Sequence, residues 1–130
     1  MKNKFEFKEA LGHDYAPLRK IKVVWSGFWF VMKYDVSVTY KVVISMIVLA
    51  LAAWFRHYTE FMILLIATGN MLSMEIMNSC IELLCDFHKT GYDERIKVIK
   101  DVAAVAAGIS IIIWVAVVGY ELFGALVEIW

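Results

Sequence analysis

Three long apolar runs separated by short charged segments constrain this chain more than any other feature. A helix needs about 20 predominantly apolar residues to cross the hydrocarbon core of a bilayer. Residues 40–55 carry one charge, Lys41, at their start, and residues 36–39 extend that run to spanning length. The second run, residues 61–85, is interrupted by Glu75, Asn78 and Glu82. The third, residues 102–123, opens on the small residues Ala103, Ala104, Ala106, Ala107 and Gly108. Small residues four apart let helices approach closely in lipid, so this face is expected to pack on a neighbour. Composition points the same way. The chain is 62% hydrophobic, against about 45–50% for a soluble domain, which leaves too little polar surface to coat a monomer in water. The expected fold class is an all-α membrane protein with three transmembrane helices.

The segment before the first span has a different character. Residues 1–17 are mixed and polar, a short helix or loose arm that Pro17 is expected to end. Residues 19–34 interleave Lys20, Lys22, Lys33 and Ser26 with Trp25, Phe28, Trp29, Phe30 and Met32. Basic and aromatic residues together suit the membrane–water interface, which predicts a surface-lying amphipathic helix. The chain therefore divides into an arm with its surface helix (1–34) and a three-helix transmembrane unit (35–130). The first twenty residues are charged and lack the apolar stretch of a cleavable signal.

Basic residues set the expected orientation. Eight fall before or at the start of the first span, Arg56 lies in an expected tight turn (56–60) between spans one and two, four lie in a hydrophilic stretch (86–101) between spans two and three, and none follow. By the positive-inside rule the N-terminus and the second loop are cytoplasmic, and the first loop and Trp130 are outside. Lys41 is expected to snorkel to the headgroups. Trp54 and Trp130 suit the outer aromatic belt, whereas Trp114 falls mid-span and is read as a packing residue.

Several functions are disfavoured. Acidic and basic residues balance at 13 each, so no global charge favours nucleic acid. His13, His57 and His88 lack zinc-ligand spacing. Cys80 and Cys85 fall on different helix faces and cannot bridge; both are read as reduced packing residues. Neither GxxxxGK[ST] nor GxGxxG occurs, which excludes nucleotide users of those soluble types.

The polar residues of the second span carry the chemistry. At about 100° per residue, Glu82 and Asp86 fall within about 20° of Glu75, and Asn78 within about 60°. Three acids and an amide thus line one stripe of an apolar helix. An ionised side chain at the bilayer centre costs roughly 2.5 kcal/mol or more, so the stripe is expected to face a polar cavity, a partner helix or bound cations. Magnesium takes oxygen ligands, usually one or two carboxylates plus phosphates, and a deeper carboxylate can act as a base. Lys100 and Asp101 are expected to open the third helix at the same interface, where a lysine can meet phosphate. Catalysis, passage of protons or ions, and structural pairing all remain open on this pattern alone.

The run Glu75-Ile76-Met77-Asn78-Ser79-Cys80-Ile81-Glu82, with Asp86 four residues on and Lys100-Asp101 before the last span, resembles the prokaryotic diacylglycerol kinase family, which includes undecaprenol kinases. That family's signature is E-x-x-N-[ST]-x-I-E, an Asp four residues later, and a Lys-Asp pair opening the last helix; the resemblance covers nearly the whole chain. It implies ATP-dependent phosphorylation of the hydroxyl of a membrane lipid, diacylglycerol or undecaprenol. The setting it implies is the cytoplasmic face of a bacterial inner membrane, with magnesium, in a homotrimer whose active sites are shared between subunits. Carried over, Glu75 is the general base and touches the lipid, together with Trp25 and Ala104. Glu82 and Asp35 hold the metal; Asp35 lies eight residues after Gly27, where the family usually has Glu. Asn78, Lys100, Asp101, Tyr92 and Lys22 contact the nucleotide. The chain departs from the pattern at Asp93, where a His often follows the Tyr, and at Val36 and Ser37, where Arg and Asn are usual. A further acid of the family's surface helix is here Lys41, or has no counterpart. The alternative reading is a small oligomeric transporter that passes protons or ions along the acidic stripe.

Overall fold

The computed structural model describes residues 17–87 and 91–129. They form four helices, α1 (Pro17–Tyr34), α2 (Val36–Phe55), α3 (Tyr58–Phe87) and α4 (Glu94–Ile129), and no strand occurs among the described residues. The fold is that of an all-α membrane protein: α2, α3 and α4 are each long and apolar enough to cross a membrane.

Local chemistry sets the helix ends. Pro17 begins α1, where its missing N–H costs nothing and its fixed φ suits the first turn; the arm it is expected to end lies outside the described residues. α1 separates polar and apolar faces more strongly than the other helices and buries none of its residues, as a surface helix should. A single extended residue, Asp35 (φ −115°, ψ 99°), divides α1 from α2 and caps the latter by accepting from the Val38 N–H. The Thr39 hydroxyl bridges the break, 2.7 Å from the Met32 carbonyl and 2.8 Å from the Asp35 carbonyl.

The turn between α2 and α3 is tighter than expected. Only Arg56 and His57 lie outside helix; residues 58–60, expected in the turn, already belong to α3, and the His57 carbonyl accepts from the Phe61 N–H at 3.1 Å. The second connection also shrinks. Most of the hydrophilic stretch 86–101 is helical, because charged residues outside the hydrocarbon extend a helix as readily as apolar ones inside it. Gly91 adopts φ 120° in this connection, a left-handed conformation that strains any residue with a Cβ. Asp93 then caps α4: its carboxylate accepts from the Arg95 N–H at 2.9 Å and its carbonyl from the Lys97 N–H at 3.1 Å. This is a local role for the acid that stands where the resemblance leads one to expect histidine. The Arg95 guanidinium beside it holds the Asp93 carboxyl below its usual range.

Length places the site. At about 1.5 Å per residue, the 20 residues of α2 match a hydrocarbon core of about 30 Å. α3 and α4 have 30 and 36 residues and are longer than the core. Glu75 lies about 25 Å along α3 from Tyr58, close to the level where α2 begins.

α3 is the central helix, packing extensively on α4 and less on α2. Leu64, Ala67, Thr68 and Met71 of α3 are buried with Ala103, Ala107 and Ser110 of α4, so the small residues at the start of the third span do admit a close neighbour. Trp114 is a packing residue with a polar anchor, its indole N–H donating to Thr68 Oγ1 at 2.9 Å. Trp114→Phe should therefore cost about 0.6 kcal/mol, the average for such a bond in a membrane protein. Unfolding in mixed micelles measures it, and a variant as stable as the parent would show the bond contributes nothing. Cys85 is buried, but Cys80, expected to pack inside, is exposed, and both are free.

The end of the bundle near Arg56 is clamped. Arg56 reaches from the α2–α3 turn to Glu121 Oε2 (3.1 Å) and Glu128 Oε2 (2.8 Å) on α4. Glu121 is only 7% exposed. Gly124 lets the guanidinium approach: a Cβ there would lie 3.1 Å from Arg56 Nη2.

Candidate active site at the junction of α1, α2 and α3

Where α2 begins, side chains of α2 and of the break before it meet the Glu75–Glu82 segment of α3. The Ser79 hydroxyl donates to Asp35 Oδ2 and also lies 3.1 Å from the Glu75 carbonyl. Burial pushes the Asp35 carboxyl up, but the Ser79 hydroxyl, the Val38 and Ser37 N–H groups and the Lys41 charge outweigh it and hold the group below its usual value. Glu75 is 5% exposed, and its Oε1 lies 2.7 Å from the Lys41 ammonium. Lys41 does not snorkel outward as expected; it turns into the α2–α3 interface, because a buried carboxylate one helix away is the stronger partner. One turn beyond, Asn78 Nδ2 donates to Glu82 Oε1 at 3.4 Å, and the Asn78 carbonyl oxygen is buried without a partner among the described residues.

Ser79 and the α3 periodicity thus bring Asp35, Glu75, Asn78 and Glu82 to one stretch of α3. Residues 22–122 match the family model described as prokaryotic diacylglycerol kinase. The chain belongs to this family. Searches of the curated proteins and of the solved structures return no match.

The remaining residues that the family pattern points to are not gathered here. Lys100 and Asp101 do not open α4; it starts at Glu94, two turns earlier, too far for the first-turn dipole to act on Asp101. Lys100 is bound to Asp86 of α3 at 2.6 Å, and Asp101 to Lys97 at 3.5 Å. Tyr92 lines, with Asp86, Asp93, Lys97 and Lys100, an open hollow of about 390 Å³ between the ends of α3 and α4. Lys22, Trp25 and Ala104 are exposed, and the ring contacts of Trp25 are to Phe28 and Trp29 of its own helix. Two residues close to the chemistry escaped the sequence reading, Lys41 as the partner of Glu75 and Ser79 as the link to Asp35. The signal for Lys41 was present: a lone cation in an apolar helix needs a counter-charge.

A hard divalent cation suits this donor set. Among the described residues no three His, Cys, Asp or Glu side chains lie close enough to hold a metal alone. Magnesium usually binds through one or two carboxylates and completes its shell with phosphate and water. Asp35, Glu82 and the unpartnered Asn78 oxygen are all oxygen donors of that kind.

Asp35 also has a measurable structural role. Its lowered carboxyl stabilises the fold above the unfolded-state value of about 4, and that contribution is lost as pH falls through the still lower folded value. Asp35→Ala should cost about 1 kcal/mol from the lost cap and flatten the acid limb of stability against pH. A variant with the parent's acid limb would show that the carboxylate is not held as described.

Proposed function

We propose that the protein is a magnesium- and ATP-dependent lipid kinase that phosphorylates the hydroxyl of diacylglycerol or undecaprenol at the cytoplasmic face of a bacterial inner membrane. The observation that carries this reading is the meeting of Asp35, Lys41, Glu75, Asn78 and Glu82 at the level where α2 begins, in a chain of this family. A lipid lying in the bilayer reaches that level sideways, with its tail in hydrocarbon and its hydroxyl at the boundary.

Phosphoryl transfer depends on positioning and charge neutralisation more than on covalent chemistry by the protein. Glu75 accepts the hydroxyl proton as the lipid oxygen bonds to the terminal phosphorus of ATP and the bond to ADP breaks. When bound, magnesium, held by Asp35 and Glu82, supplies positive charge to the phosphates. Asn78 supports the nucleotide side of the site. Lys100, Asp101 and Tyr92 meet the nucleotide from the hollow between α3 and α4, the first two by exchanging their ion pairs for phosphate and ribose contacts. Lys22 completes the nucleotide contacts, and Trp25 and Ala104 border the lipid. The working unit is read as a homotrimer, on the family's pattern.

A proton or ion path is less well supported. Between Glu75 and Glu121 the buried residues of α3 are Met71, Thr68, Ala67 and Leu64. Thr68 is the one polar side chain among these four, and Trp114 already occupies its hydroxyl.

The test offers purified protein in mixed micelles labelled ATP and either diacylglycerol or undecaprenol, followed by separation of the lipids. Label in one lipid product, dependent on magnesium, is the expected result and identifies the acceptor. Label in neither would end the kinase reading.

A further inference from the structure

Lys41 is the sole charged residue of α2, and it stands five residues from the helix start, close enough to the boundary to reach water. Its side chain is nevertheless only 13% exposed, and that of Glu75 6%. The ammonium is fixed from both sides, 2.7 Å from Glu75 Oε1 and 3.0 Å from Ser37 Oγ. A buried ion pair of this sort is weak grounds for stability, since well-packed apolar residues often serve as well. What it does provide is direction. With Oε1 engaged by Lys41, the other carboxylate oxygen carries no hydrogen bond among the described residues.

We propose that Lys41 is a positioning residue for Glu75: its ammonium holds one carboxylate oxygen and thereby presents the other to the lipid hydroxyl. This rests on the lipid-kinase reading. The pair links α2 to α3 beside the Asp35–Ser79 contact, so the base and a metal ligand are set by the same helix junction. The other groups near this junction are Asp35, Asn78, Ser79 and Glu82, none of which hydrogen-bonds Lys41. Among the described residues no other cation pairs with Glu75.

The test compares the parent with Lys41→Met, Lys41→Arg and Lys41→Ala, the last with and without ethylammonium, under steady-state kinetics for ATP and lipid. Misplacing a reacting group by about 1 Å can cost 10²-fold. Lys41→Met should therefore lose about 10- to 100-fold in kcat with KM for ATP unchanged. Lys41→Arg should recover most of that loss, and ethylammonium should raise the rate of Lys41→Ala. A merely structural lysine would lower the folded fraction without this split and without rescue by the free amine. Full kcat in Lys41→Met, or a loss that neither arginine nor the amine relieves, would overturn the proposal while an active parent leaves the kinase reading intact. An inactive parent would remove both.

Discussion

Glu75→Gln should abolish lipid phosphorylation while the protein still folds. General-base catalysis contributes about 10²- to 10⁴-fold, and an amide cannot take the hydroxyl proton at neutral pH. The fold should survive because the glutamine oxygen can still accept from the Lys41 ammonium, which lies 2.7 Å from the carboxylate it replaces. Turnover of radiolabelled ATP into lipid measures the first claim, and near-ultraviolet circular dichroism in micelles the second. A variant with a tenth or more of the parent's kcat would move the base elsewhere. One that fails to fold would make Glu75 first a structural anchor for Lys41.

The second large effect lies at the opposite end of the bundle. Arg56→Met should lower the thermal midpoint further than removal of any exposed charge, because Glu121 is 7% exposed and would lose its cation. Removing one partner of a buried pair leaves an uncompensated charge, which is far worse than removing both. Arg56→Met combined with Glu121→Met should therefore recover much of the lost stability. Midpoints of single and double variants in one detergent give the comparison. If the double variant melts no higher than the single, the carboxylate is not the source of the penalty. Turnover per folded molecule should be unchanged, since Arg56 lies in the turn before Tyr58, which is itself about 25 Å from Glu75 along α3.

Much of this architecture can be read from the order of residues, for a definite reason. The apolar runs that became α2, α3 and α4 are long and nearly free of charge, and the bilayer turns that combination directly into a span. Helix ends were harder. The charged residues 94–101 look like loop on a hydropathy scale, yet Asp93 caps them into helix. Arg56 reaches α4, and no local property of residues 56–60 reports a contact 65 residues away. The acidic stripe of α3 was legible because Glu75, Asn78 and Glu82 share one helix, whose geometry is known in advance. The pairing of Lys41 with Glu75 was not, because it depends on how two helices are rotated against each other. Glu121 could have been found by the same reasoning that singled out Glu75: an acid inside an apolar helix requires a partner. Lys22 and Trp25 were placed by their positions in α1, and α1 carries them on an exposed surface instead of into the cluster.

The Lys41–Glu75 contact also bears on how the chain is made. Synthesis delivers α2 before α3, so the lysine emerges ahead of its counter-charge, which follows 34 residues later. It sits about 8 Å from the start of its helix, near enough to wait among lipid headgroups. The acid that follows comes to lie at the same level and meets the waiting ammonium as the hairpin closes. Neither charge therefore has to cross the apolar middle of the bilayer to find the other.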